Sequence, residues 1–266
     1  MKKIAFILAS ICIVSSLQAQ EAPKSAEKKS KSKEPKPAKV VLPKKDWSKV
    51  DLSNRTADHL VIQYGATNWT NTPDSIRIGS GFSRHFNVYF MLDKPFKTNP
   101  KFSVAYGAGF GTNHVFFDKQ YVDLKATSAR LPFRSGLVGT DSSNFDKFKL
   151  TSIYFEIPVE VRFFGNPENT AKSWKAAVGV KVGTLLKSYT KGKNLETKNG
   201  ASIYGPGYIS KESNKRFLNG TRLAVSGRFG YGIFSVHGEY NILGVLKDAA
   251  GARMNSYNIG FTIGGL

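Results

Sequence analysis

The sequence predicts an all-β fold: an eight-stranded antiparallel transmembrane β-barrel, preceded by a cleaved signal peptide and a disordered basic tether. Three observations predict it. The first is the stretch from Thr221 to the end, where one parity is apolar (Leu223, Val225, Phe229; Phe234, Val236, Tyr240, Ile242; Tyr257, Ile259, Phe261, Ile263). The other parity there is polar or small (Arg222, Ser226, Arg228; Ser235, His237, Glu239, Asn241; Ser256, Asn258, Gly260, Thr262). Successive side chains of a strand point to opposite faces, so each segment has one greasy face and one wet face. The second is composition: 25 Gly, 19 Phe and 11 Tyr suit a glycine- and aromatic-rich β-protein better than a helical one. The third is the spacing of connections, which alternate short and long as the turns and loops of outer-membrane barrels do.

Residues 1–19 read as a signal peptide. Lys2 and Lys3 form the basic start, Ile4 to Val14 the apolar core, and Leu17-Gln18-Ala19 the cleavage site. The apolar run is shorter than the roughly 20 residues that span a bilayer. Cys12 is the single cysteine and lies inside this segment, so the expected mature chain has no disulfide and no Cys-based metal site. Residues 20–57 read as a periplasmic tether rich in Lys and Pro. Within it, nine Lys and three Glu between 21 and 45 give +6 of the net charge of +20. Such a segment has too few apolar groups to fold alone. The charge would fit nucleic acid, but an exported chain does not meet it, so no nucleic-acid partner is expected.

Residues 58–266 are the expected barrel domain, with strands near 59–69, 80–93, 101–116, 148–164, 173–188, 217–230, 233–246 and 255–265. Each reaches the 9–11 residues that a tilted membrane strand needs. The lipid-side residues are Leu60, Ile62 and Tyr64; Phe86, Val88, Phe90 and Leu92; Phe102, Val104, Tyr106 and Phe110; Ile153 to Phe163 by twos; and Val178, Val180, Val182 and Leu186. Tight turns fall at 94–100, 165–172 and 230–232, and longer loops at 70–79, 117–147, 187–216 and 247–254. A periplasmic tether then places the long loops outside the cell and the C-terminus in the periplasm of a Gram-negative-type cell. Aromatic residues collect at strand ends, where amphipathic rings favour membrane interfaces. Phe102, Phe163, Phe164, Trp174, Phe229 and Tyr231 mark the periplasmic rim, and Trp69, Phe82, Phe116, Phe117, Tyr189 and Phe217 the outer one.

The stretch FEIPVEVRFFGNPEN at 155–169, with GVKVGTLLKSYTKGKNL at 179–195 and GRFGYGIFSVHGEYNI at 227–242, resembles the PorT-like outer-membrane β-barrel family. The resemblance covers roughly 58–266. It implies an eight-stranded porin-family barrel, and for one branch a place in a secretion and gliding machinery. The chain departs from many such barrels in ending at Leu266 instead of an aromatic residue.

The lumen parity carries a charge network: Glu156, Glu160, Arg162, Lys181, Arg222, Arg228 and Glu239, with His237 beside them. Eight strands leave an interior just wide enough for side chains to fill, so these nearly balanced charges are expected to pair. A regular hairpin centred between Glu168 and Asn169 sets Glu156 opposite Lys181, unless Pro158 makes a bulge. His59, His85, His114 and His237 have no ligand-spaced partner, so no metal site and no cofactor are expected. His85 with Ser83, or His114 with Asp118, are the only imaginable catalytic pairs near the outer rim, and neither spacing is diagnostic. The expected function is therefore non-enzymatic: a structural or interaction role in the cell envelope. Its expected partners are outer-membrane lipid and lipopolysaccharide, and an envelope protein docking on loops 117–147 and 187–216. A narrow diffusion channel is the main alternative, and a lipid-modifying enzyme the weaker one.

Overall fold

In the computed structural model the residues described are 52, 55, 59–79, 83–135 and 143–264. The signal peptide, almost all of the tether, Phe82 and Leu266 lie outside them. The strands are β1 (Leu60–Thr70), β2 (Arg84–Pro95), β3 (Phe102–Phe117), β4 (Tyr121–Val122), β5 (Phe133–Arg134), β6 (Ser143–Phe164), β7 (Trp174–Thr197), β8 (Ile209–Ser213), β9 (Thr221–Tyr231), β10 (Phe234–Asn241) and β11 (Asn255–Gly264). Eight long strands pair antiparallel in the ring β1-β2-β3-β6-β7-β9-β10-β11, and β11 pairs back onto β1. Closure leaves no unpaired edge, which is what allows strands to cross lipid.

The side-chain alternation follows the sequence. Tyr64, Phe86, Phe90, Phe110, Ile157, Val178, Phe229, Phe234 and Phe261 are exposed on the outer wall, while their neighbours in sequence turn inward. At the turn end of the barrel, the rings of Trp174, Phe229 and Tyr231 cluster, with centroids 5.3 and 5.4 Å from Trp174. Phe163 pairs with Phe102 at 5.3 Å on the same rim.

Four of the other rim aromatics turn inward. Trp69, Phe117 and Phe217 sit inside the loop end, in an apolar cluster with Phe145, Phe148, Leu218, Leu246 and Met254. Phe164 is buried at the turn end beneath Arg55. Position near a strand end said nothing about which face each ring takes. Parity did: Trp69 shares the inward parity of Gln63 and Thr67, and Phe117 that of Asn113 and Val115.

The segment 187–216 is not an open loop. β7 runs on to Thr197 and β8 returns beside it, pairing Tyr189 with Ser213 and Lys193 with Ile209. Inward Ser188, Thr190 and Gly192 alternate with outward Tyr189 and Lys191 there, so the period of two outlasts the apolar belt. The hairpin β6–β7 also has a different register from the regular one expected. Glu156 faces Gly183, and Lys181 faces Pro158, which sits in regular pairing. The irregularity lies at Ile153/Tyr154, opposite Leu186.

Candidate functional site

The interior is built by glycines. On the ladder that crosses the middle of the barrel, Tyr89 of β2, Gly109 of β3, Glu156 of β6, Gly183 of β7 and Arg222 of β9 stand side by side. Each glycine leaves a gap through which its two large neighbours meet. Tyr89 donates to Glu156 Oε2 at 2.5 Å, and Arg222 Nη1 donates to Glu156 Oε1 at 2.8 Å. A Cβ at Gly183 would stand 2.9 Å from Glu156 Cγ, and one at Gly109 2.0 Å from the Val88 carbonyl oxygen.

The network then closes across the lumen. Arg222 Nη2 donates to Glu239, whose other oxygen accepts from Lys181 Nζ at 2.8 Å. Lys181 also donates to Gln63 Oε1 at 2.9 Å and to the Tyr89 hydroxyl at 3.2 Å. Two carboxylates and two cations thus balance in a space from which all four are shielded. Buried charges left without such partners cost several kcal/mol each. Glu156 and Lys181 do not pair directly; the Tyr89 hydroxyl stands between them, and the true register sets Lys181 opposite Pro158, two residues along the ladder.

The remaining lumen residues form a second cluster at the turn end. Glu160 Oε2 accepts from Arg162 Nε and from Arg228 Nη2, each at 3.1 Å. Asp93 Oδ1 accepts from Ser103 at 2.6 Å, and Asp93 Oδ2 from Arg55 Nη2 at 2.7 Å. Arg55 also donates to the Pro100 carbonyl at 2.7 Å and lies over the Phe164 ring, so the end of the expected tether reaches into this mouth of the barrel.

His237 does not bond Glu239. On the ladder His85–Gly65–Gly260–His237, two glycines separate two histidines. Both imidazoles lean over them and meet, Nε2 to Nε2, at 2.8 Å. The tautomers follow from the neighbours. The Ala66 carbonyl only accepts, so His85 Nδ1 carries a proton toward it at 3.2 Å. His85 Nε2 then accepts from His237 Nε2, and His237 Nδ1 accepts from Thr262 at 2.8 Å. Neither imagined catalytic pair forms: Ser83 Oγ accepts from the Phe116 amide, and His114 bonds Thr151. Tyr89, His85, Asp93 and Arg55 were not part of the expected network. With Phe86, Val88, Phe90 and Leu92 facing lipid, the parity of β2 already turned His85, Tyr89 and Asp93 inward.

Above the polar layers, the loop end is capped by apolar side chains. Val122, Leu124 and Leu131 from the β4–β5 segment join Trp69, Phe117, Phe148 and Phe217. Leu131 N donates to the Ala250 carbonyl at 2.8 Å, and Arg216 to that of Ala126 at 3.1 Å, so the separate loops hold one another. Burial and the nearby Glu212 carboxylate push the Tyr121 phenol well above its ordinary range. Among the described residues, no group of His, Cys, Asp or Glu is arranged to hold a metal ion.

A closed eight-strand ring with an apolar outer wall and a salt-bridged interior is the architecture of a barrel embedded in lipid. Residues 59–246 match the family described as outer membrane protein beta-barrel domain. The chain belongs to that family. Membership places it in the outer membrane. Two solved structures of Ail, the attachment invasion locus protein of Yersinia pestis, are similar to the chain at 13% and 14% identity, the former in complex with the heparin analogue sucrose octasulfate. Each covers 77% of this chain and 95% of its own, with a TM-score of 0.32. No curated protein matches the sequence.

Proposed function

We propose that this outer-membrane barrel is a closed anchor that presents its loop end to another component of the cell envelope, and is not a conduit. The observation that carries the reading is the filled lumen: a salt-bridged layer at mid-height, a second one at the turn end, and an apolar cap across the loop end. A diffusing solute would have to break paired charges and then part a packed aromatic cluster. The finer form of the reading is a place in an envelope secretion or gliding assembly, supported by the PorT-like motifs at 155–169 and 227–242. In that form the β6–β7–β8 hairpin, with exposed Ile203, Tyr204 and Tyr208 near its tip, is the protein-docking element.

The test is electrical. The purified, refolded protein in planar bilayers is expected to give no steady conductance. Reproducible, long-lived open levels from the pure protein would replace the anchor with a channel.

The anchor presents its loops outward, with the tether in the periplasm. Cys12 falls in the expected signal peptide, so single cysteines report cleanly. An impermeant thiol reagent on intact cells is expected to label Ser202→Cys and to spare Ser32→Cys. The reverse pattern would invert the orientation. Ser202 is exposed on the hairpin, and Ser32 lies outside the described residues.

A further inference from the structure

The outer face of the β6–β7–β8 extension carries lysines in register. Lys149 of β6 stands directly opposite Lys191 of β7, which stands directly opposite Lys211 of β8. Further from the lipid belt, Lys147 faces Lys193 in the same way. Like charges directly opposite one another destabilise a sheet, so a row of three calls for a counter-charge. Among the described residues, no ion pair involves Lys149, Lys191 or Lys211. Glu212, next to Lys211, has the opposite parity and is engaged with Tyr121. Lys191 and Arg84 instead repel the Lys149 ammonium.

Rings hold these cations in place. Arg84 and Lys149 both lie over Phe116, at 5.9 and 5.6 Å from its centroid, and Lys211 lies over Tyr189 at 4.4 Å. A ring face orients a cation without neutralising it. The height of the row is equally specific. The lipid-facing belt ends at Ile153 on β6 and Leu186 on β7. Lys149 and Lys191 follow about 13–16 Å further along the tilted strands, at roughly 3.3 Å per residue, which carries them out of the hydrocarbon and onto its polar side.

We propose that this face binds the phosphates of an anionic lipid headgroup of the outer leaflet, with Lys149, Lys191 and Lys211 as the contacting cations and Arg84 at the rim. The outer-leaflet assignment rests on the loops-outward orientation above; the binding itself does not. A multiply phosphorylated headgroup meets several lysines at once, while its acyl chains lie on the apolar wall directly below. Free phosphate would gain only the first of these contacts.

The test uses the refolded full barrel in mixed micelles with diphosphoryl lipid A, its dephosphorylated form, or inorganic pyrophosphate, with bound ligand read by native mass spectrometry. Wild-type protein is expected to retain diphosphoryl lipid A, to retain the dephosphorylated lipid about tenfold or more weakly, and to hold pyrophosphate least. Lys149→Gln/Lys191→Gln/Lys211→Gln is expected to lose the preference for the phosphorylated lipid, while Lys149→Arg/Lys191→Arg/Lys211→Arg keeps it. Heat-modifiable gel mobility reports that each variant folds. Equal retention of the two lipids by wild type, an unchanged preference in the Gln variant, or pyrophosphate binding as tight as lipid would each overturn the proposal. None of these outcomes touches the conductance test, so the two readings fail separately.

Discussion

Arg222→Met is expected to destabilise the barrel by about 3–5 kcal/mol, because removing one partner of a buried ion pair leaves the other desolvated and uncompensated. Here two carboxylates are left. Glu156 keeps only the Tyr89 hydroxyl, and Glu239 only Lys181. The measurement is urea unfolding of the refolded protein in lipid vesicles, followed by tryptophan fluorescence. Glu156→Gln in the Arg222→Met background is expected to return part of the loss, since it removes one of the stranded charges. Coupling energies from double-mutant cycles should follow the observed partners. Arg222 with Glu156 and Lys181 with Glu239 should couple by about 1 kcal/mol or more, and Glu156 with Lys181 by less, because Tyr89 separates them. A cost below about 1 kcal/mol for Arg222→Met would mean that water reaches the network, and the sealed interior would have to be given up.

Gly65→Val is expected to abolish folding, and Gly65→Ala to cost about 3 kcal/mol, at the upper end of overpacking. A Cβ at Gly65 would lie 2.2 Å from the Ile259 carbonyl oxygen and 2.4 Å from Gly260 Cα. Backbone on a neighbouring strand cannot rotate away as a side chain can. The same Cβ would push up beneath the His85–His237 pair, which meets over Gly65 and Gly260. Gly238 supplies the contrast. It lies on the same sheet, and nothing stands within 4 Å of the Cβ it would gain. Gly238→Ala is therefore expected to fold as wild type. Heat-modifiable mobility after refolding separates the cases. Equal folding yields for Gly65→Val and wild type would show that β1 and β11 are not so closely apposed.

The wall of this barrel was legible in the chain because its physics is local. Lipid on one side and packed polar groups on the other impose a period of two, and that period can be read one residue at a time from Leu60 to Ile263. The seven inward charges and their near-balance were legible on the same ground. Which charge meets which was not. The pairing Glu156–Arg222 depends on Gly183 arriving at their height on the strand between them, as Tyr89–Glu156 does on Gly109. That height is set by hairpin register: the turn at 165–172 pairs Phe164 with Lys175, and every pair from there to Tyr154 with Leu185 follows in step. His85 and His237 are 152 residues apart in the chain and meet only when β11 pairs back onto β1. Trp69 and Phe117 carry the composition of an interfacial girdle but the parity of the lumen; parity turns them inward, and the loops that fold back over them keep water from that end. Parity and strand count are properties of the sequence by itself. Partner choice, register and the cap were decided by the closed ring, because it alone brings distant side chains within hydrogen-bond reach and takes water away from them.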